Sequence, residues 1–217
     1  MKGIVVFGSW KEFAQVIFDI NEDAGREEWR IAAIADEDEK LWGKDWHGIP
    51  IVEGWDWLGK NTKVKSAHCC VGKTDARKRI CKRLSSLGYD FPNIVSPSAV
   101  VSKHAKLGKG NLVCANVHIH PDVVIGNFNM FNVGTHVAHD VKIGGYCNVN
   151  SHVNLVEKCR VGNGAYLGAG CTVIKGAKIG NGSTVGANAL VNRDIPDGET
   201  WVGVPAKPMK VKGRGKS

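Results

Sequence analysis

From Val95 to Pro196 the chain divides into seventeen consecutive blocks of six residues, and every block opens on an apolar one: VSPSAV, VSKHAK, LGKGNL, and so on to VGANAL and VNRDIP. The fifth position is mostly small or branched, as at Ala99, Ala105, Thr135, Cys147, Cys159, Ala165, Cys171, Ala177, Ser183 and Ala189, and glycine takes the second position in seven blocks. Apolar residues make up 43% of the chain, so seventeen successes in a row cannot be accidental. The pattern is that of a hexapeptide-repeat parallel β-helix. Each block supplies a short strand and a corner; its first residue points into a narrow core, and its fifth must be slim enough to share that core. Glycine or asparagine is expected where a corner needs positive φ. Three blocks close one triangular coil of eighteen residues, and coils stack at about the 4.8 Å strand spacing. Residues eighteen apart then lie above one another, so His118 stacks under His136, and His139 lines up with Glu157 and Lys175.

The first ninety residues read differently. "KGIVVFG" is a short buried strand ending at Gly8, and "SWKEFAQVIFDI" follows with helical spacing and Ser9 as its cap. "WRIAAIA" is a second strand ending in Asp36-Glu37, and "KVKSAHCCVG" a third. "TDARKRICKRLSSLG" is a helix from Thr74 to Gly88 with Ala76, Ile80, Leu84 and Leu87 on one face. Alternating strands and helices predict a small parallel α/β sheet over residues 1–92, followed by the β-helix and its tail over 93–217. In such sheets ligands bind beyond the carboxyl ends of the strands, which here present Gly8-Ser9, Asp36-Glu37 and Gly72-Lys73. The first turn lacks GxGxxG, which removes the main support for a dinucleotide-dependent redox enzyme. The acidic pair suits a ribose or base; the competing reading is a solvated strand end. Trp42, Trp46, Trp55 and Trp57 fall in a stretch with neither helix nor strand periodicity and read as packing aromatics.

The net charge of +8 is concentrated in "GKTDARKRICKR" and in the tail "KVKGRGKS". It favours anionic partners, nucleotides and coenzymes before nucleic-acid polymers, because no aromatic-interleaved basic stripe or zinc-finger spacing appears. No apolar run approaches a membrane span and no signal peptide is evident, so a cytoplasmic protein is expected. Seven cysteines without paired CxxC spacing read as reduced packing residues.

The residues that bear chemistry lie in "FNVGTHVAHDVKIG". In the block VAHDVK, Val137 is core, and His139-Asp140 occupy the outward corner. An imidazole beside a carboxylate is the minimum for general-base work, although surface His-Asp neighbours are common. An α/β lobe, repeats carrying N-x-G-x-x-V-x-H-D at Asn132–Asp140, and the ending V-G-V-P-A-K at Val202–Lys207 together resemble the hexapeptide-repeat sugar O- and N-acetyltransferases. That family includes sialic acid O-acetyltransferases and bacillosamine-pathway UDP-4-amino-sugar N-acetyltransferases. The resemblance covers essentially the whole chain and implies a left-handed β-helix. It also implies a homotrimer with active sites between subunits, acetyl-CoA as co-substrate and no metal. By the same resemblance His139 is the base, Asp140 its partner, and Asn132 lies near the reacting centre. Acetyl-CoA runs past Asn148, Ala169, Ala187 and Lys207, and the amino-terminal lobe holds a nucleotide-sugar at Gly8, Ser9, Asp36 and Glu37.

Two departures stand out. The family's first turn is rich in glycine and carries a histidine, whereas this one reads "GSWKEFA" with bulky Trp10. The bacillosamine-pathway enzymes place a second histidine nine residues after the base; here that position is Asn148, with His152 four residues further on. The expected activity is N-acetylation of a nucleotide-linked amino sugar, with sugar O-acetylation as the nearest alternative. A zinc-dependent enzyme using His118, His136 and His139, and a non-catalytic nucleotide-sugar-binding module, are remoter ones.

Overall fold

The computed structural model describes residues 1–8, 11–61 and 63–209; Ser9, Trp10 and the basic tail lie outside the described residues. The chain forms two compact units. One comprises Met1–Ala99 with Gly108–Ala115, the other Val100–Leu107 with Asn116–Ser217.

The first unit contains β1 (Lys2–Phe7), α1 (Lys11–Asp23), β2 (Trp29–Asp36), β3 (Asp45–Trp46), β4 (Ile49–Glu53), α2 (Gly54–Lys60), β5 (Ala67–Cys69) and α3 (Thr74–Ser86). The sheet order is β3-β4-β2-β1-β5, parallel except for the β3-β4 hairpin. Its interior is the apolar run of β1, from Ile4 to Phe7, packed with Phe13, Ile17, Ile34, Leu58, Ile80 and Leu84. The stretch read as irregular is in fact β3, β4 and α2. Its tryptophans do pack: Trp42 donates to the Asp36 carbonyl at 2.9 Å, Trp46 stacks on Phe18, and Trp55 lies 4.9 Å from Phe7. Short apolar runs flanked by aromatics carry too little periodicity to separate strand from helix. The buried face of α3 also differs from the expected one, being Arg77, Ile80, Cys81 and Leu84, while Ala76 and Leu87 are half-buried.

The second unit is a three-sided left-handed parallel β-helix. Its flat faces are named here by a member residue. The His136 face stacks strands from Val100–Val101 to Leu190–Val191, the Lys142 face from Lys106–Leu107 to Lys178–Ile179, and the Tyr166 face from Met130–Phe131 to Thr200–Val202. The eighteen-residue register holds at each step, as in His118↔His136, Lys142↔Arg160 and Asn148↔Tyr166. It fails once. Beyond Val191 a corner is two residues shorter, so Ile179 bridges Ile195 and Thr184 pairs with Thr200, sixteen residues on.

First-position residues fill the core; Phe131, Val137, Val149, Leu155, Leu167 and Val173 are fully buried. Fifth-position cysteines share it, and Cys147 and Cys159 direct their thiols at the Gly162 and Ile174 carbonyls, at 3.1 and 3.0 Å. Phe131→Ala is expected to cost about 3–5 kcal/mol, read as a lowered urea midpoint, because a rigid stack cannot collapse into the hole.

The corner rule needs correcting. Positive φ falls on the fourth position of a block, at Asn116, Asp122, Phe128, Gly134, Asp140, Tyr146, His152 and Lys158, among others. Second-position glycines serve another purpose. A Cβ on Gly162 would come within 2.6 Å of the Asn181 nitrogen, and one on Gly168 within 2.5 Å of the Ala187 nitrogen, so backbone of the next coil occupies the space.

Candidate active site

His139 and Asp140 sit at the corner between the His136 and Lys142 faces. Neighbours in an extended chain point to opposite sides, but Asp140 adopts φ of 62°, a left-handed conformation that aspartate tolerates better than most residues. The bend brings the two side chains to the same side, with His139 Nδ1 2.9 Å from Asp140 Oδ2. Since a carboxylate only accepts, Nδ1 carries the proton and Nε2 is left as the free lone pair. The imidazole and carboxylate side chains are 55% and 48% exposed, so both are accessible in a single chain.

One coil above, the Lys158 nitrogen donates to the His139 carbonyl, and the Glu157 carboxylate pairs with Lys175 at 2.8 Å. Lys175 is the main cause that holds the Glu157 carboxyl below its ordinary range, with a smaller contribution from the charge of His139. The column His139–Glu157–Lys175 therefore stands as the eighteen-residue map requires.

The other expected prism residues gather on a different corner, between the Tyr166 and His136 faces. Asn132 is half-buried there and donates to Asn150 Oδ1 at 3.3 Å. Ala169 and Ala187 are exposed on the same corner, one coil apart, with Asn188 donating to the Ala169 carbonyl. His152 belongs to this corner too; its ring lies where a Cβ on Gly134 would stand. Asn148 is almost buried on the Tyr166 face, and Lys207 is exposed on a short strand, Lys207–Pro208, that pairs antiparallel with Thr200–Val202. A single prism thus holds His139 at one edge of the His136 face and Asn132, Ala169 and Ala187 at the other.

His118 and His136 stack as expected, and His120, which the sequence reading passed over, joins them. The His118 and His120 rings lie 4.6 Å apart, and His120 Nε2 meets His136 Nε2 at 3.0 Å. His136 Nδ1 faces Asn154 Oδ1 at 3.1 Å, so His136 donates there and accepts from His120. Burial, and then the charges of His118, His136 and His139, lower the proton affinity of His120. These rings are aimed at one another, not at a common centre with His139. Among the described residues no group of three or more His, Cys, Asp or Glu could hold a metal ion.

In the α/β unit Gly8 ends β1 with φ of 87°, and a Cβ there would strike the Val71 side chain. Glu37 is already engaged: Arg79 donates to both carboxylate oxygens at 3.2 Å, and Trp55 Nε1 donates at 3.0 Å. The Arg79 hydrogen bond is the main cause lowering its carboxyl pKa. Asp36 accepts from the Asp38 nitrogen through Oδ1, and Oδ2 has no partner among the described residues. Two buried groups escaped the sequence reading. Arg77 is fully buried and donates to the Val71 carbonyl at 3.1 Å, while His68 lies under Phe13 with both ring nitrogens unpartnered.

The family model "Bacterial transferase hexapeptide (six repeats)" matches residues 158–193. UDP-N-acetylbacillosamine N-acetyltransferase of Bacillus subtilis (strain 168) is 34% identical over 92 residues, an alignment that spans 42% of this chain and 42% of that protein. Similarity to solved structures extends further. A His-to-Ala mutant of GDP-perosamine N-acetyltransferase from Caulobacter crescentus, in complex with CoA and GDP-perosamine, is 30% identical with a TM-score of 0.87, covering 97% of this chain and 98% of that one. The acetyltransferase domain of PglB from Neisseria gonorrhoeae, in complex with acetyl coenzyme A, is 25% identical with a TM-score of 0.84, covering 96% of this chain and 99% of that one. With 30% identity along nearly the whole of both chains, this protein belongs to the hexapeptide-repeat sugar acetyltransferases, a family of acyltransferase enzymes.

Proposed function

We propose that this protein transfers the acetyl group of acetyl-CoA directly to the amine of a nucleotide-linked amino sugar, with His139 as general base. The observation that carries the reading is the 2.9 Å His139–Asp140 hydrogen bond on an accessible corner, in a chain whose full-length similarity is to a GDP-perosamine N-acetyltransferase. His139 Nε2 removes a proton from the amine as its nitrogen attacks the thioester carbonyl. The C–N bond forms, the C–S bond breaks, and the proton on His139 passes to the departing thiolate. Asp140 fixes the tautomer and stabilises the imidazolium in between. No covalent acyl-enzyme is needed, so the buried cysteines take no part. Holding both substrates together supplies much of the acceleration.

The α/β domain, residues 1–92, takes the nucleotide at Gly8, Ser9 and Asp36, with Glu37 bracing Arg79 and Trp55 behind them. The β-helical domain, 93–217, takes acetyl-CoA along Asn148, Ala169, Ala187 and Lys207, with Asn132 beside the reacting carbonyl. His139 and Asn132 lie on different corners of one prism, which favours a homotrimer whose clefts combine the two corners from neighbouring chains. Among the described residues no helix is long and apolar enough to cross a membrane, in keeping with a cytoplasmic enzyme acting on cytoplasmic nucleotide-sugars.

The test is thiol release from acetyl-CoA in the presence of GDP- and UDP-linked amino sugars, with mass analysis of the product. An acetamido sugar is expected; tight coenzyme binding without transfer to any amine or hydroxyl would end the reading. Asp140→Asn is expected to lower kcat by roughly 10- to 100-fold while KM for acetyl-CoA stays near wild type, because the amide no longer selects the Nδ1–H tautomer. Steady-state kinetics on both substrates checks this.

A further inference from the structure

Two cysteines of the α/β unit meet where α3 packs on β5. Cys69 is the last residue of β5, and Cys81 lies on the buried face of α3 with Arg77, Ile80 and Leu84, the spacing of a single helix stripe. Only Cys70–Lys73 separates strand from helix, so the helix turns straight back over the strand end. Both side chains are buried, and the Cys81 thiol donates a hydrogen bond to the Cys69 sulfur.

Arg77, one turn before Cys81, is fully buried in the same place and donates to the Val71 carbonyl at 3.1 Å. A guanidinium does not give up its proton, so its positive charge is fixed in an apolar interior and favours an anion on a nearby sulfur. The Cys81 hydrogen bond foremost, then the Val71 backbone N–H and the charge of Arg77, hold the Cys69 thiol below its ordinary range, against burial and the charge of Glu37. The Cys81 thiol moves the other way, because its proton is held in that bond. Elsewhere burial dominates, and it raises the thiols of Cys70, Cys114, Cys159 and Cys171. A sulfur with thiolate character, a second thiol in contact with it and a fixed cation alongside make up a peroxide-reactive dithiol, a role that packing does not require.

We propose that Cys69 and Cys81 form a reversible oxidation site, in which Cys69 reacts with hydrogen peroxide and Cys81 resolves the product. The Cys69 thiolate attacks one peroxide oxygen; the S–O bond forms, the O–O bond breaks, and the departing hydroxide takes up a proton to become water. Cys69 is thereby oxidised to the sulfenic acid and the peroxide is reduced. The Cys81 sulfur then attacks that of Cys69. The S–S bond forms, the S–O bond breaks, and the leaving hydroxide carries off the Cys81 proton as a second water. The disulfide ties β5 to α3 across the connection that carries Gly72 and Lys73, and a dithiol reductant reopens it by thiol exchange.

The experiment treats fully reduced wild-type protein with graded hydrogen peroxide, blocks the remaining thiols with N-ethylmaleimide in urea, and maps tryptic peptides by mass spectrometry. Trypsin releases Cys69, together with Cys70, in the peptide 66–73, and Cys81 in the peptide 80–82. These two peptides are expected to appear joined with the loss of two hydrogens, and to separate on addition of dithiothreitol. The link is expected to survive Cys70→Ala and to vanish in Cys81→Ala, where dimedone instead labels Cys69 as its sulfenic acid. Cys69 is expected to be consumed at least about tenfold faster than Cys159 and Cys171. Mapping of the wild-type protein needs no variant to fold, so the linkage itself is decided whatever the substitutions do. Absence of the joined peptides, a link that runs through Cys70, or oxidation of Cys69 no faster than that of the β-helix cysteines would overturn the proposal.

Discussion

Replacing His139 with alanine is expected to lower kcat by about 10²- to 10⁴-fold, the range that a positioned general base contributes. KM for acetyl-CoA should stay close to wild type, because in the proposed mechanism the imidazole acts on the acceptor amine and not on the coenzyme. The deficit should also narrow as pH rises. At alkaline pH hydroxide can take the proton that leaves the attacking nitrogen in place of the imidazole, so the variant gains relative to wild type. His139→Ala with wild-type turnover would end the assignment. A loss independent of pH would point to lost packing or positioning instead. Alanine removes only an exposed side chain at a corner whose backbone is held by Lys158, so misfolding is not expected to confuse the result.

Acidification is expected to destabilise the α/β unit through His68. The side chain is 1% exposed, stacked 4.9 Å from Phe13, and both ring nitrogens lack a partner. Burial, and secondarily the charge of Arg77, push its pKa down to about 3, whereas in the unfolded chain it titrates near 6.5. Above that unfolded value the ring is neutral in both states and contributes no penalty. As pH falls below it, the unfolded chain binds a proton that the folded one refuses. Stability is therefore lost progressively towards pH 3, by about 3 kcal/mol between pH 7 and pH 4. His68→Leu should remove that slope. At neutral pH the variant should be as stable as wild type, or more stable by about 1–3 kcal/mol, since two unsatisfied buried polar atoms disappear. Urea unfolding at both pH values decides the matter. A leucine variant as acid-labile as wild type would show that other groups govern the loss.

The period of six was legible because it is enforced by contacts that every coil repeats, so a single strand of text carries the register of the whole stack. His118 over His136, and His139 in line with Glu157 and Lys175, follow from counting alone. The shortened coil after Val191 was not legible. "VNRDIP" still opens on an apolar residue and satisfies the block pattern although its corner has lost two residues. In the α/β unit, Asp36-Glu37 was visible as a strand end, but the engagement of Glu37 was not. Its partners Arg79 and Trp55 lie forty-two and eighteen residues away and belong to other elements. Arg77 and His68 were read past for the same reason, since a charged or polar residue in a helix or strand gives no local sign of being buried.

By itself, then, the sequence determined the β-helix, its eighteen-residue stacking and the corner on which the candidate base stands. These depend on a local periodicity that side-chain volume in a narrow core imposes. Only the tertiary structure decided that Asp140 turns back to meet His139 and that Glu37 is taken up by Arg79 and Trp55. The first is set by a backbone dihedral and the second by the approach of distant elements, and neither leaves a mark in the order of residue types.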